Sequence, residues 1–322
     1  MDDAALFRLF DPLYSDVRPE DAFEIKKPLL AHYTTIHVLE KILTTNELWF
    51  SNPLFMNDME EVRFGVVQGN TLVIGSEEVA KACKTMERTQ MFQHYFAYYF
   101  NQFANQNVLN TYVFCMTAHD RDDNDGLLSM WRGYGANGNG VAIVFDTAQI
   151  NPLPNSPLTV ATVNYDTTDG RMAWLKKLLS TFSGILSAAD IPKDKLHISA
   201  YALFERIKLF ALFTKHRGFK EEREWRVVYM PDRDPEKKGE SMFHYAIGHR
   251  GVEPKMRFKI GYIEGLTAPD LSLAKITERI ILGPTISSPI ANATVSRMFD
   301  LLGQTELKAK LRASTIPFRS IA

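Results

Sequence analysis

Residues 219–228 read FKEEREWRVV and include charged groups at the alternate positions 222, 224 and 226. On a β-strand, alternate side chains point to the same side, so Glu222, Glu224 and Arg226 would share one face. The arginine could hold a carboxylate ionised in a cleft, where it would serve acid–base or electrostatic chemistry. The same pattern is also typical of an exposed edge strand with a salt-bridge ladder, and spacing alone favours that interpretation.

A second polar group closes the apolar run PLLAHYTT. His32, Tyr33 and Thr34 end a predicted strand just before a helical pattern. Such a histidine can contact a ligand or simply donate to a main-chain carbonyl, and Thr35 can simply cap the helix. Thr117 ends the run YVFCMT in a similar way, where an ordinary turn residue is the alternative.

The stretch GYGANG matches the glycine spacing of dinucleotide-binding loops. That fingerprint requires a strand before the glycines and a helix after them. Here the order is reversed: Asp125 can cap a helix that carries Trp131, Arg132 and Tyr134, and the strand GVAIVFD follows the glycines. The glycines therefore predict a helix end and a tight loop, which can still lie near a ligand.

The stretch SNPLFMNDMEE offers Asn57, Asp58, Glu60 and Glu61. With a divalent metal, the acids could serve phosphoryl transfer in a nuclease-like enzyme. Turn preferences and the first turn of a helix explain the same residues without any ligand. Two cysteines and scattered histidines complete no recognisable set, so we predict no metal site.

The apolar pattern predicts an α+β fold in a single domain covering residues 1–322. A helical period indicates helical segments at about residues 57–110 and 168–216. Several short apolar or alternating runs predict mixed, mainly antiparallel, short-stranded sheets around them. The segment 168–216 then forms a helical insertion between two groups of strands.

The 322 residues are 45% apolar and 23% charged, as in ordinary soluble globular proteins. The formal net charge of −1 provides no overall attraction to nucleic acid or to an anionic membrane. The N-terminus MDDAALFRLFDPL lacks the pattern of a signal peptide, and no apolar run reaches membrane-spanning length. We therefore expect a cytoplasmic protein without a membrane partner.

Taken together, several stretches resemble a widespread bacterial and phage family known only as a domain of unknown function. The shared patterns are HYT, LWFSNP, MWxxY and ExEWR, and the resemblance runs over nearly the whole chain.

More distantly, the chain resembles the ADP-ribosyltransferase superfamily. Catalytic domains of that superfamily carry a strand ending in His or Arg, a strand ending in Ser or Thr with an aromatic-bearing helix behind it, and a later strand carrying Glu. AHYTT, FCMT with LLSMWRGYG, and EREWRVV are similar to these three elements, which implies a split β core.

The superfamily resemblance implies NAD as the substrate. Glu224 would offset the positive charge that develops on the ribose in an oxocarbenium-like transition state. Glu222 would orient or deprotonate the acceptor, and His32 would hydrogen-bond the adenosine-side ribose. The resemblance implies further NAD contacts from Tyr33, Thr34, Thr117, Trp131, Arg132, Tyr134 and Arg226.

Among those contacts, Tyr134, or failing it Trp131, would stack on the cationic nicotinamide ring. Arg132 or Arg226 would bind a phosphate through charge-assisted hydrogen bonds. The implied activity is NAD-dependent ADP-ribosyl transfer or NAD glycohydrolysis, in a toxin or an effector of phage–host conflict, with a protein or nucleic acid as the acceptor. The alternative is a non-catalytic module that binds a ligand or partner on the same fold.

Overall fold

A computed structural model of the protein describes residues 2–56, 59–151, 153, 156–248 and 251–318, with only the main chain of residues 19 and 59–61. The helices are α1 (Asp3–Arg8), α2 (Phe23–Lys26), α3 (Ile36–Thr45), α4 (Met59–Ile74), α5 (Glu77–Ala82), α6 (Met86–Asn105), α7 (Leu128–Gly133), α8 (Thr168–Ala188), α9 (Leu196–Leu212), α10 (Leu273–Ile276) and α11 (Pro289–Leu301). The strands are β1 (Leu29–Thr34), β2 (Glu47–Ser51), β3 (Tyr112–His119), β4 (Val141–Asp146), β5 (Leu158–Thr162), β6 (Asn164–Asp166), β7 (Thr214–His216), β8 (Glu224–Tyr229), β9 (Phe243–Gly248), β10 (Gly251–Lys259), β11 (Thr277–Leu282) and β12 (Leu311–Ala313). With 53% helix and 22% strand, the predicted α+β class is confirmed.

Internal contacts divide the chain into two compact units, each assembled from three separate stretches. The helical unit comprises Met1–Asp21, Asn52–Thr111 and Val163–Phe219, and the sheet unit comprises Ala22–Ser51, Tyr112–Thr162 and Lys220–Ala322. Helices α4 to α6 occupy the first predicted helical segment, and α8 and α9 occupy the second. The single domain expected from the sequence stays a prediction.

Helix α9 is buried around most of its circumference and lies at the centre of the helical unit. Helix α4 approaches it closely at two glycines. A Cβ atom on Gly65 would lie 2.6 Å from the Cβ of Ala211, and one on Gly69 would lie 2.5 Å from Cγ2 of Ile207. Glycine at these two positions therefore permits the close contact between the helices.

Asn52, from the stretch SNPLFMNDMEE, has a structural environment inside the helical unit. Its side chain is fully buried, and Nδ2 donates to the carbonyls of Val108, Leu109 and Thr111. Its Oδ1 accepts from the amide of Leu54 at 3.0 Å. The asparagine thus fixes a turn, as turn preferences of the sequence suggest.

The sheet unit is built on one sheet, which holds ten strands among the described residues. Its order is β12-β11-β4-β1-β3-β2-β10-β9, with β8 joined to β3 and β5 joined to β8. These described strands pair antiparallel, except that β11 and β12 are parallel. The expected mainly antiparallel sheet is therefore confirmed.

Strand β3 is the branch point of this sheet. One of its edges pairs with β8 from Tyr112 to Thr117. The other edge is shared, because β1 pairs with it at residues 117–119 and β2 pairs with it at Val113. The sheet therefore opens between β1 and β2, beside residues 114–116 of β3.

The two faces of the sheet bury different clusters. On the face that we call the α7 face, Ala31 and Tyr33 of β1 pack with Met130 and Trp131 of α7. On the opposite face, which we call the main-core face, alternate residues such as Leu30 join the larger hydrophobic cluster of the unit. Because side chains alternate along a strand, these two clusters assign a face to each neighbouring strand residue.

Candidate functional site

Helix α7 is held on the sheet by two aromatic residues. The ring of Trp131 lies 4.8 Å from that of Tyr33 in an edge-to-face arrangement, and its Nε1 donates to the carbonyl of Asp125 at 2.8 Å. The hydroxyl oxygen of Tyr33 accepts from the amide of Leu127 at 2.9 Å. Burial raises the pKa of Tyr33 to about 12, so this phenol stays neutral at physiological pH.

The predicted capping role of Asp125 is wrong. Helix α7 begins after Leu127, and the Asp125 carboxylate accepts instead from the hydroxyl of Thr315 at 2.9 Å. Gly126, which lies between Asp125 and Leu127, has a φ of 74°. A Cβ atom on this residue would lie 2.6 Å from the Tyr33 hydroxyl oxygen. The loop before α7 therefore requires glycine at this position.

Residues 120–124 of the same loop are fixed by His119 and by Arg279, and the sequence patterns did not single out Arg279. Arg279 donates Nη1 to the carbonyl of Asp123 and to Oδ1 of Asn124, at 2.9 and 2.8 Å. His119 donates Nε2–H to the same Asp123 carbonyl at 2.8 Å. The acidic run DRDDND is a sequence signal of an ordered loop. Its partner Arg279, on β11, is about 155 residues away from Asn124, so a local pattern could not identify it.

Tyr134 lies just past the end of α7 and is 39% exposed. Its hydroxyl donates to Oε1 of Glu222 at 3.0 Å. Gly135 follows so closely behind Trp131 that a Cβ atom would lie 2.5 Å from the indole ring. The structure thus brings an accessible aromatic ring and a half-buried carboxylate together at the end of the helix.

Glu222 does not lie on a strand. It ends a 3-10 turn, Arg217–Glu222, and Arg223 then takes a left-handed φ of 46° before β8 begins at Glu224. The prediction that Glu222 shares a strand face with Glu224 and Arg226 is therefore wrong. The kink aims Glu222 at Tyr134 instead, through the hydrogen bond described above.

Glu224 and Arg226 do share a face, as alternation predicts. The Arg226 guanidinium donates Nε to Oε1 of Glu224 at 2.8 Å and Nη2 to Oε2 at 3.2 Å. Glu224 is 4% exposed and Arg226 is 3% exposed. The exposed salt-bridge ladder that spacing favoured is wrong, because this pair is buried.

Thr117 pairs directly with Glu224 across β3 and β8, and with Ala31 across β3 and β1. Directly paired residues of antiparallel strands project to the same side, so Thr117 and Glu224 lie on the α7 face. Thr117 is itself buried. The buried polar residues at this end of the sheet therefore come from β3 and β8, and β1 contributes the neighbouring Ala31.

Arg223, which directly precedes β8, forms a second ion pair. Its two terminal nitrogens donate to the two carboxylate oxygens of Asp120 at 2.9 and 2.8 Å. The hydrogen bonds from Arg223 lower the pKa of Asp120. Because Asp120 is exposed, solvent screens this pair, and its effect on stability is small.

His32 and Thr34 lie on the main-core face. The ring of His32 lies 4.5 Å from that of Phe114, and its Nδ1–H donates to the Cys115 carbonyl at 3.1 Å, across the opening between β1 and β2. Burial lowers the pKa of His32, while the hydrogen bond to Cys115 opposes that shift. These two residues are not brought together with Tyr134 and Glu222.

The two remaining residues of the predicted NAD-binding set differ in accessibility. Trp131 is fully buried with its indole nitrogen bonded, so its ring presents no open face to a ligand. Arg132 is exposed, and its guanidinium lies 5.2 Å from the ring centre of Phe318. Within the described part of the chain, no carboxylate lies within ion-pair distance of Arg132.

The acidic stretch before α4 is only partly described. Asn57 and Asp58 lie outside the described residues, and so do the side chains of Glu60 and Glu61. Among the residues that are described, no group of three or more His, Cys, Asp or Glu side chains could hold a metal ion. No described helix is long and apolar enough to cross a membrane.

Residues 130–227 match a family described as "Protein of unknown function (DUF2971)". This range begins in α7 and ends in β8, so it contains Tyr134, Glu222, Glu224 and Arg226. It supports the resemblance to a family of unknown function over those residues. No curated protein and no solved structure matches the chain.

Proposed function

We propose that the protein binds NAD on the α7 face and transfers its ADP-ribosyl group, or hydrolyses NAD. The observation that carries this proposal is the pairing of an accessible aromatic ring, Tyr134, with the carboxylate of Glu222. A flat cationic ring such as nicotinamide is attracted to an aromatic face, and a neighbouring carboxylate favours positive charge.

The chemistry that this pair would serve is cleavage of a glycosidic bond. The bond between ribose C1′ and the nicotinamide nitrogen breaks, and its electron pair leaves with neutral nicotinamide. An acceptor N–H or O–H, or water, bonds to C1′ and releases its proton. A carboxylate accelerates this step when it stabilises the oxocarbenium-like transition state more than the bound substrate.

The geometry favours different duties for the two glutamates. Glu222 is half-buried and contacts the exposed ring, so it can reach the ribose or the acceptor. Glu224 is buried and bound by Arg226, so it is suited to positioning the strand end and setting the local charge. Arg132 is the exposed cation nearest in sequence to Tyr134, and it is suited to a phosphate of NAD.

A second candidate is a non-catalytic module that binds a ligand or partner on this face. The observation that favours it is that both carboxylate oxygens of Glu224 accept from the Arg226 guanidinium. In this alternative, the Glu224–Arg226 pair serves the fold, and the residues around Tyr134 only bind. The two candidates differ in whether nicotinamide is released.

The test is incubation of the purified chain with NAD, followed by chromatographic measurement of free nicotinamide. A parallel reaction with a biotin-labelled NAD analogue and bacterial lysate detects transfer to a macromolecular acceptor. We expect release or labelling by the wild-type chain and loss of at least about a hundredfold in Glu222→Gln. Glu264→Gln is the matched control, because Glu264 is an exposed glutamate of the same unit.

Two outcomes would contradict parts of the proposal. One is no release and no labelling by a folded wild-type chain that still binds NAD, which would contradict catalysis and favour the binding module. The other is wild-type turnover in a folded Glu222→Gln variant, which would refute the role given to Glu222. A role in toxicity or in phage–host conflict follows only if expression of the active chain, and not of Glu222→Gln, stops the growth of host cells.

A further inference from the structure

The main-core face of the sheet unit contains a cavity of about 180 Å³. Its lining includes the aromatic rings of Phe50, Phe114, Phe145 and Phe258, each of them almost fully buried. The cavity lies across the sheet from the α7 face, because Phe114 and Val227 alternate with residues that project to that face. It is therefore independent of the NAD site proposed above.

The polar groups in the cavity wall already donate to the protein. The hydroxyls of Thr147 and Thr267 each donate at 2.6 Å, to the carbonyls of Pro28 and Gly261. Ser156 donates to the carbonyl of Leu266 at 3.1 Å. A buried water usually needs two to four polar partners, so this cavity is a poor site for water.

The cavity wall is not buried evenly. On β5 and β8, Leu158, Val160 and Val227 line it and are only partly buried, whereas its aromatic residues are buried. Among the described lining residues, Glu24 is the charged one, and it is exposed. A negative group near the lining disfavours an anionic ligand, and the apolar interior disfavours any unpaired charge.

Size and polarity together define the ligand class. A dry apolar cavity of roughly 150 Å³ is large enough to bind benzene. We propose that this cavity is a binding site for a small uncharged apolar molecule of about the size of a substituted benzene. Burial of its apolar surface provides the affinity, since the wall offers few free polar groups.

The test uses toluene as the neutral probe and benzoate as the anionic probe of the same shape. Binding to the full chain is measured by ligand-observed NMR, with thermal unfolding as a second readout. We expect saturable toluene binding with a rise in melting temperature, and affinity for benzoate that is at least about tenfold lower. Absent or non-saturable toluene binding, or equal affinity for benzoate, would overturn the proposal.

A cavity-filling variant locates the binding site. In Val160→Phe the added ring enters the cavity from its rim, so toluene affinity should fall at least about tenfold. Val252→Phe is the matched control, because Val252 is 62% exposed in the same unit and does not line the cavity. A folded Val160→Phe chain that binds toluene like the wild type would also refute the site. If Val160→Phe fails to fold, Leu158→Phe replaces it. The comparison of toluene with benzoate on the wild-type chain then still tests the proposal.

Discussion

Replacement of Arg226 by methionine tests the buried ion pair at the start of β8. The substitution keeps the length and apolar stem of the side chain and removes the guanidinium that contacts both oxygens of Glu224. Glu224 is 4% exposed, so its carboxylate would lose a charged partner without gaining water. Breaking a buried ion pair from one side costs about 3–5 kcal/mol.

The assay is urea denaturation followed by circular dichroism, with the slope checked for each variant. We expect Arg226→Met to lower the free energy of unfolding by about 3 kcal/mol or more. The double variant Glu224→Gln, Arg226→Met should recover most of that loss, because it also replaces the carboxylate that the guanidinium binds. Arg297→Met is the control, and as an exposed substitution in the same unit it should change stability by less than about 0.5 kcal/mol.

Either of two results would contradict a buried, coupled ion pair between Glu224 and Arg226. One is a loss below about 1 kcal/mol in Arg226→Met, which would mean that Glu224 is solvated or neutral. The other is a double variant whose loss equals the sum of the losses measured in Arg226→Met and in the single variant Glu224→Gln, since additivity indicates that the two side chains are not coupled.

Three further predictions concern the elements around α7. Gly126→Ala should lower the free energy of unfolding by about 1–3 kcal/mol, because the alanine would have to adopt a positive φ with its Cβ atom 2.6 Å from the Tyr33 hydroxyl oxygen. The measurement is thermal unfolding, and an unchanged melting temperature would contradict the prediction. Tyr33→Phe should lower stability by about 0.5–1.5 kcal/mol and speed hydrogen exchange at the Leu127 amide, whereas unchanged exchange would argue against that hydrogen bond. Burial lowers the pKa of His119, so the folded chain binds its proton less readily than the unfolded chain, and stability should fall as pH drops below about 6.5. His119→Gln should reduce that acid-side slope in denaturation measured from about pH 8 to about pH 5, and a slope equal to that of the wild type would count against the assignment.

Local patterns predicted the elements better than the partners of their side chains. The alternation in EREWRVV correctly placed Glu224 and Arg226 on one face, because a strand period is a local property. It failed at Glu222 because Arg223 adopts a left-handed conformation, which no residue type in that stretch requires. Burial of the pair was also missed, since spacing does not reveal what covers a strand.

For the glycine stretch, too, the sequence predicted the local elements but not the distant partners of their side chains. The order of helix, glycines and strand was correct, and α7 does end just before Gly135. The cap assigned to Asp125 was wrong because Thr315, 190 residues away, binds its carboxylate. His32 was predicted at a strand end, but its face depends on the register of β1 against β3 and β4, which pairing of distant strands sets.

Calorimetric titration of NAD into the wild-type chain and into Tyr134→Ala tests the proposed NAD site itself. We predict one NAD per chain and an affinity at least about tenfold lower in the variant, because a stacked aromatic ring contributes about 1–3 kcal/mol. Tyr262→Ala should bind like the wild type, since Tyr262 is an exposed tyrosine elsewhere in the same unit. Equal affinity of the wild type and Tyr134→Ala, or loss of binding in His32→Ala with Tyr134→Ala unaffected, would contradict a site on the α7 face.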